Sequence, residues 1–160
     1  MEQDKSYDRA MNMALRLLAV RARSVKEIRA KLADKGVDGP VLEKVIEKLL
    51  DLNYLDDAEF AGQWTRHLAF NLLYGDRRIE ASLREKGVPE EIIRRSISEN
   101  REELDEKAAL RRILNKKIKG LNAQNLDRKL KARLARMLAG RGFSTGLIYE
   151  ALRNPQEDNE

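Results

Sequence analysis

The chain has 160 residues, no cysteine, three prolines, nine glycines and 5% aromatic residues, with 37% of positions charged and a net charge of +5. That composition excludes disulfides and thiolate metal sites, disfavours a strand-rich fold and suits long amphipathic helices. No segment approaches the roughly 18 unbroken apolar residues of a membrane span, and the polar start MEQDKSYDRA is unlike a secretory leader. A cytoplasmic protein with no membrane partner is expected.

In chain order, residues 1–7 are expected to be flexible. A first helix is predicted over 8–22, with Met11, Leu15 and Leu18 on one face. Ser24-Val25-Lys26-Glu27 has the S-x-x-E form of a capping box and opens a second. Pro40 starts a third, to about residue 52, and Asp56-Asp57 opens a fourth over 57–73 as an N-cap and a dipole-compatible charge. Gly75-Asp76 breaks that helix; a fifth runs to 86 and a sixth over 89–99. The seventh, 103–119, turns Leu104, Leu110, Ile113, Leu114, Ile118 and Leu121 inward, and the eighth, 125–139, steps Leu126, Leu130, Leu134 and Leu138 every four residues. The ninth covers 144–153 behind Ser144, and the polar tail 154–160 is expected to be disordered.

One short pattern recurs three times: LADKGV (Leu32–Val37), LREKGV (Leu83–Val88) and LAGRGF (Leu138–Phe143), with Gly36, Gly87 and Gly142 standing 51 and 55 residues apart. A single Lys-Gly or Arg-Gly pair is only a helix stop. Here apolar residues repeat on both sides, with Ile28, Ile79 and Leu134 eight before each glycine and Ile46, Ile97 and Leu152 ten after it. The pattern predicts an all-α protein, an elongated tandem array of three three-helix repeats at 8–56, 57–102 and 103–153.

Catalytic and metal chemistry find little support. His67, the lone histidine, lies in an amphipathic helix without partners for a metal. GRGFSTG (Gly140–Gly146) misses the G-x-G-x-x-G spacing and lacks a G-K-[ST]. Neither an enzyme nor a cofactor is expected. Phe60, Trp64, Leu68 and Leu72 recur every four residues and read as core rather than as a base-stacking platform.

Charge is the stronger signal. Residues 107–141 carry 12 Lys and Arg against one acid, Asp127, while the segments on either side are each net −3. Charged helix faces are usually solvated and mix both signs. A face of one sign repels itself and is better understood opposite a polyanion or an acidic protein. The candidate contacts are Arg111, Arg112, Lys116, Lys117, Lys119, Arg128, Lys129, Lys131, Arg133, Arg136 and Arg141. On residues alone, the partner stays open between nucleic acid and an acidic protein, as for an independent DNA-binding transcriptional or architectural factor or a helical-repeat adaptor.

The stretches YLDDAEFA (Tyr54–Ala61), YGDRRIEASLREKGV (Tyr74–Val88) and MLAGRGFS (Met137–Ser144), with ALRLLAVRARSVKEIRAKL (Ala14–Leu32), resemble the RecX family of regulators of the RecA recombinase. The resemblance spans about residues 10–153. It implies a non-enzymatic monomer that binds RecA nucleoprotein filaments and modulates, chiefly by inhibition, strand exchange, ATP hydrolysis and co-protease activity, with effects on DNA repair, recombination and the SOS response. It also implies weak binding to single- and double-stranded DNA. One departure is TRHLAFNLLY (Thr65–Tyr74), with Leu68 where the family more often has Arg or Lys; an apolar, protein-facing patch is expected there.

Overall fold

The structure, a computed structural model, describes residues 2–122 and 126–155. Among them are nine α-helices and no strand: α1 (Glu2–Val20), α2 (Val25–Asp34), α3 (Gly39–Asp51), α4 (Asp57–Arg66), α5 (Asp76–Glu85), α6 (Glu90–Arg101), α7 (Glu106–Ile118), α8 (Arg128–Gly140) and α9 (Thr145–Arg153). They form a tandem array of three three-helix repeats. Contacts divide the chain into two compact units, one of Met1–Gln63 with Leu83–Ile93 and the other of Trp64–Ser82 with Arg94–Glu160. The middle repeat is therefore shared between the two.

In the first unit α1 packs on α2 and α3. Its core holds Ile28, Leu32, Val45, Ile46 and Leu49, none more than 2% exposed. Ala10 and Ala14 are the fully buried residues that α1 contributes to this core, while the predicted face of Met11, Leu15 and Leu18 is only half-buried. Small side chains at the crossing let the backbones approach, which places the larger ones at its edge. In the second unit Leu110, Leu114, Leu138 and Phe143 are buried to 2% exposure or less, with Phe70 and Leu73 packed against their cluster.

The recurrent glycine does the same work in each repeat. Gly36, Gly87 and Gly142 have φ of +75°, +75° and +93°, a region open to glycine at little steric cost. In each, the N–H of the following residue (Val37, Val88, Phe143) donates to the carbonyl of Leu32, Leu83 or Leu138, at 3.1, 3.1 and 3.3 Å. The glycine N–H donates to Ala33, Arg84 or Ala139, at 2.9, 3.0 and 3.0 Å. This is a Schellman motif three times over. The capping box at Ser24 and Glu27 and the N-cap at Ser144 also form as predicted.

The middle helices also meet end to end. Ser24 Oγ donates to the Lys86 carbonyl at 2.7 Å and Lys26 Nζ to that of Glu85 at 3.0 Å, so the C-terminus of α5 sits on the N-terminus of α2. In the second unit Gly75 N–H donates to the Arg141 carbonyl at 2.8 Å and Arg78 Nη1 to that of Gly140 at 2.7 Å, joining α8 to α5 at equivalent positions. The last carbonyls of one helix thereby meet the first amides of another, and opposite ends of two helix dipoles face each other. A second link repeats as well. The Asp57 carboxylate at the start of α4 accepts from Val25 N–H at 2.9 Å, and Glu106 at the start of α7 accepts from Asp76 N–H at 2.9 Å.

Four expectations change. Helix α1 begins at Glu2 rather than residue 8; acidic Asp4 suits the positive end of its dipole. Leu121 is 51% exposed, because α7 ends at Ile118 and the turn through Gly120, φ +82°, carries Leu121 off the inward face. The apolar run Thr65–Tyr74 is consumed internally: a π-helical turn, His67–Asn71, prolongs α4, with Leu68 4% exposed and Ala69 fully buried. The wider turn rotates Leu72 off the four-residue step, to 36% exposed, so the expected apolar patch is mostly core. Of the tail, Pro155 is buried and the Asn154 carbonyl accepts from Arg111; residues 156–160 lie outside the described residues, as does residue 125, the expected start of the eighth helix.

Candidate nucleic-acid interface

The basic block folds as α7, its following turn and α8, with α9 packed against both helices. Asp105 caps α7 by accepting from Ala108 N–H at 2.7 Å, and Asp127 caps α8 by accepting from Leu130 N–H at 2.6 Å. On α7 the apolar residues Leu110, Ile113, Leu114 and Ile118 turn inward, which leaves Arg112, Lys116 and Lys119 exposed on the opposite side. On α8, Leu134 and Leu138 are buried, and Lys129, Arg133 and Arg136 line one shallow surface cleft together with Leu130 and Asp127.

Two of the eleven candidate residues drop out. Arg111 is 4% exposed, and its Nη1 donates to the Asn154 carbonyl. A buried guanidinium bonded to its own chain is spent on holding the end of α9. Arg141 is half-buried, and its Nη1 donates to the Leu72 carbonyl at 2.7 Å. Burial could not be read from charge: Arg111 has the same residue type and neighbours as Arg112, one position away.

The remaining candidates (Arg112, Lys116, Lys117, Lys119, Arg128, Lys129, Lys131, Arg133 and Arg136) are exposed, apart from half-buried Lys131. None makes an ion pair or side-chain hydrogen bond with another described residue. Several cations in other parts of the chain are paired: Arg29 with Glu43, Arg66 with Glu103, Arg84 with Glu90 and Lys107 with Glu150. Arg128, Lys129 and Lys131 also lie in the first turn of α8, where positive charge opposes the dipole and an arriving anion would relieve it.

A third group escaped the sequence reading. Arg128 and Lys131 of α8 and Arg153 of α9 border an open apolar groove floored by Ala132, Ala135, Ile148 and Leu152, with Tyr149 on its wall. Arg153 and Tyr149 lie beyond the basic block, in a segment of net negative charge, and only the packing of α9 on α8 brings them to it. The other candidates noted in the sequence take structural places. Trp64 Nε1 donates to Ser82 Oγ at 2.9 Å, and the exposed His67 is bonded through Nδ1 to the Asn71 side-chain amide at 3.1 Å.

Three family models match in series: "RecX, first three-helix domain" at residues 10–49, "RecX, second three-helix domain" at 56–97 and "RecX, third three-helix domain" at 105–152. Among relatives named "Regulatory protein RecX", one from Mycobacterium sp. (strain KMS) is 36% identical over 91% of this chain and 80% of its own. One from Pelodictyon phaeoclathratiforme is 38% identical over 94% of this chain and 91% of its own. The crystal structure of RecX from Lactobacillus salivarius superposes with a TM-score of 0.75 at 21% identity, covering 94% of this chain and 96% of that one. At that identity the likeness shows the fold.

Proposed function

Since this chain belongs to the RecX family of regulatory proteins, we propose that it acts as a cytoplasmic monomer that binds RecA nucleoprotein filaments and inhibits their ATPase, strand-exchange and co-protease activities. The observation that carries this reading is the set of nine cations on α7, its C-cap and α8 that have no acidic partner among the described residues. A filament offers both DNA phosphate and acidic protein surface to such faces, and electrostatic attraction to a polyanion needs no catalytic group. If about five cations meet phosphate, log affinity for single strands falls with log salt at a slope of roughly −3.5.

The test is RecA ATPase on single-stranded DNA, with and without this protein, at two salt concentrations. Turnover should fall on addition, and fall less at the higher salt. The combined change Arg112→Glu, Lys116→Glu and Lys119→Glu should relieve the inhibition while leaving helicity unchanged. ATP turnover indifferent to the protein at both salts would remove the inhibitory reading, and full activity of the triple variant would remove the α7 face from it.

A further inference from the structure

We propose that the groove between α8 and α9 is a binding site for single-stranded nucleic acid, in which an unpaired base stacks on Tyr149 while Arg128, Lys131 and Arg153 hold the flanking phosphates. The inference deepens the reading above and rests on it only for the presence of DNA beside the protein.

Three observations carry it. Tyr149 is 69% exposed, although the residues beside it on the groove floor, Ile148 and Leu152, are 5% and 8% exposed. A solvated ring beside aliphatic lining residues offers a stacking surface, and every base can stack on an aromatic ring. The three cations border the groove, and no carboxylate is among its described lining residues. Around α8 from this rim stand Lys129, Arg133 and Arg136, so a ligand longer than the groove continues to meet positive charge. That continuity fits a polyanion whose charge repeats along its length.

The apolar surface argues against an inserted protein helix. Such a segment gains affinity by burying large exposed apolar groups in a groove. Here the floor is two alanines and two residues already buried in the core, and Tyr149 is the one large apolar side chain left to cover. Duplex DNA hides its base faces within the stack and cannot use the ring.

Fluorescence anisotropy on a labelled dT15 oligonucleotide, without RecA, tests the site. Tyr149→Ala should weaken binding about tenfold or more, with Tyr149→Phe within twofold of the parent. The salt slope of Tyr149→Ala should match the parent, while Arg128→Ala with Lys131→Ala should make it shallower by about 1.4. With the unaltered protein, a 15-mer of abasic sites should bind about tenfold more weakly than dT15. Equal affinity for the abasic strand, or for Tyr149→Ala, would overturn the proposal. So would a Tyr149→Ala protein that binds dT15 normally but no longer binds RecA filaments, which would assign the groove to protein. Because RecA is absent from the first measurements, stacking can fail while filament regulation stands, and the reverse.

Discussion

Glu27 shows how one side chain ties two repeats. Burial opposes its ionisation, yet hydrogen bonds from Arg21, Lys86 and the Ser24 N–H outweigh that and lower its pKa to about 2, against an ordinary 4.5. Because the folded value is depressed, the stabilisation is present above pH 4.5 and is lost as pH falls towards 2. Allowing for solvent screening, Glu27→Gln should cost about 1–3 kcal/mol at pH 7, and the difference from the parent should shrink in urea titrations at pH 2.5. Asp57 and Glu106 have the opposite sign. Burial raises both carboxyls above their ordinary range, although each accepts a backbone N–H. Their contribution is therefore greatest below the unfolded pKa and declines as pH rises through the folded one. Asp57→Asn keeps an oxygen for Val25 N–H and removes the buried charge, so it should leave thermal stability at pH 7 unchanged or higher. Asp57→Ala loses the acceptor and should cost about 1 kcal/mol.

Among the elements, the three glycine stops look alike in sequence and differ in surroundings. A Cβ on Gly36 would meet nothing within 4 Å, so Gly36→Ala should cost only the strain of positive φ, roughly 1–2 kcal/mol. A Cβ on Gly142 would lie 2.4 Å from Arg78 Cβ and 2.5 Å from its backbone N, where α8 meets α5. Gly142→Ala should therefore cost about 2–4 kcal/mol. Gly75 is similarly closed in: its Cβ would meet the Gly142 and Phe143 backbone at 2.4 Å. Chemical denaturation of Gly36→Ala and Gly142→Ala checks the order, and equal losses would mean that the close joint contributes nothing beyond the turn itself.

For the whole molecule, the repeat of sequence and the unit of packing are different things. Phe70 and Leu73 pack against the core of the third repeat, and Leu72, Gly75 and Arg78 share hydrogen bonds with Gly140 and Arg141. A fragment of residues 103–155 lacks all of these partners. It should be less stable than a 57–155 fragment by at least about 3–5 kcal/mol, from these three hydrogen bonds at about 1 kcal/mol each and two half-buried apolar side chains, with the Asp76–Glu106 link adding to the loss. Thermal unfolding of the two fragments would show it; equal midpoints would make the third repeat self-sufficient.

Helix identity, the caps at Ser24 and Ser144 and the three glycine stops are local properties, set by side chains within about six residues, and were legible from the chain alone. So was the concentration of positive charge in 107–141, because charge adds up along a sequence without reference to shape. The π-helical turn was not legible, since Leu68 and Leu72 keep the four-residue spacing of an ordinary helix and only packing reveals the wider turn. Nor was the fate of each cation: Arg111 and Arg112 differ by one position, 100° of helix rotation, and the core decides which one faces inward. The equivalence of the two helix joints, and the meeting of Arg153 and Tyr149 with Arg128 and Lys131, depend on segments distant in sequence, whose proximity exists only after the chain has folded.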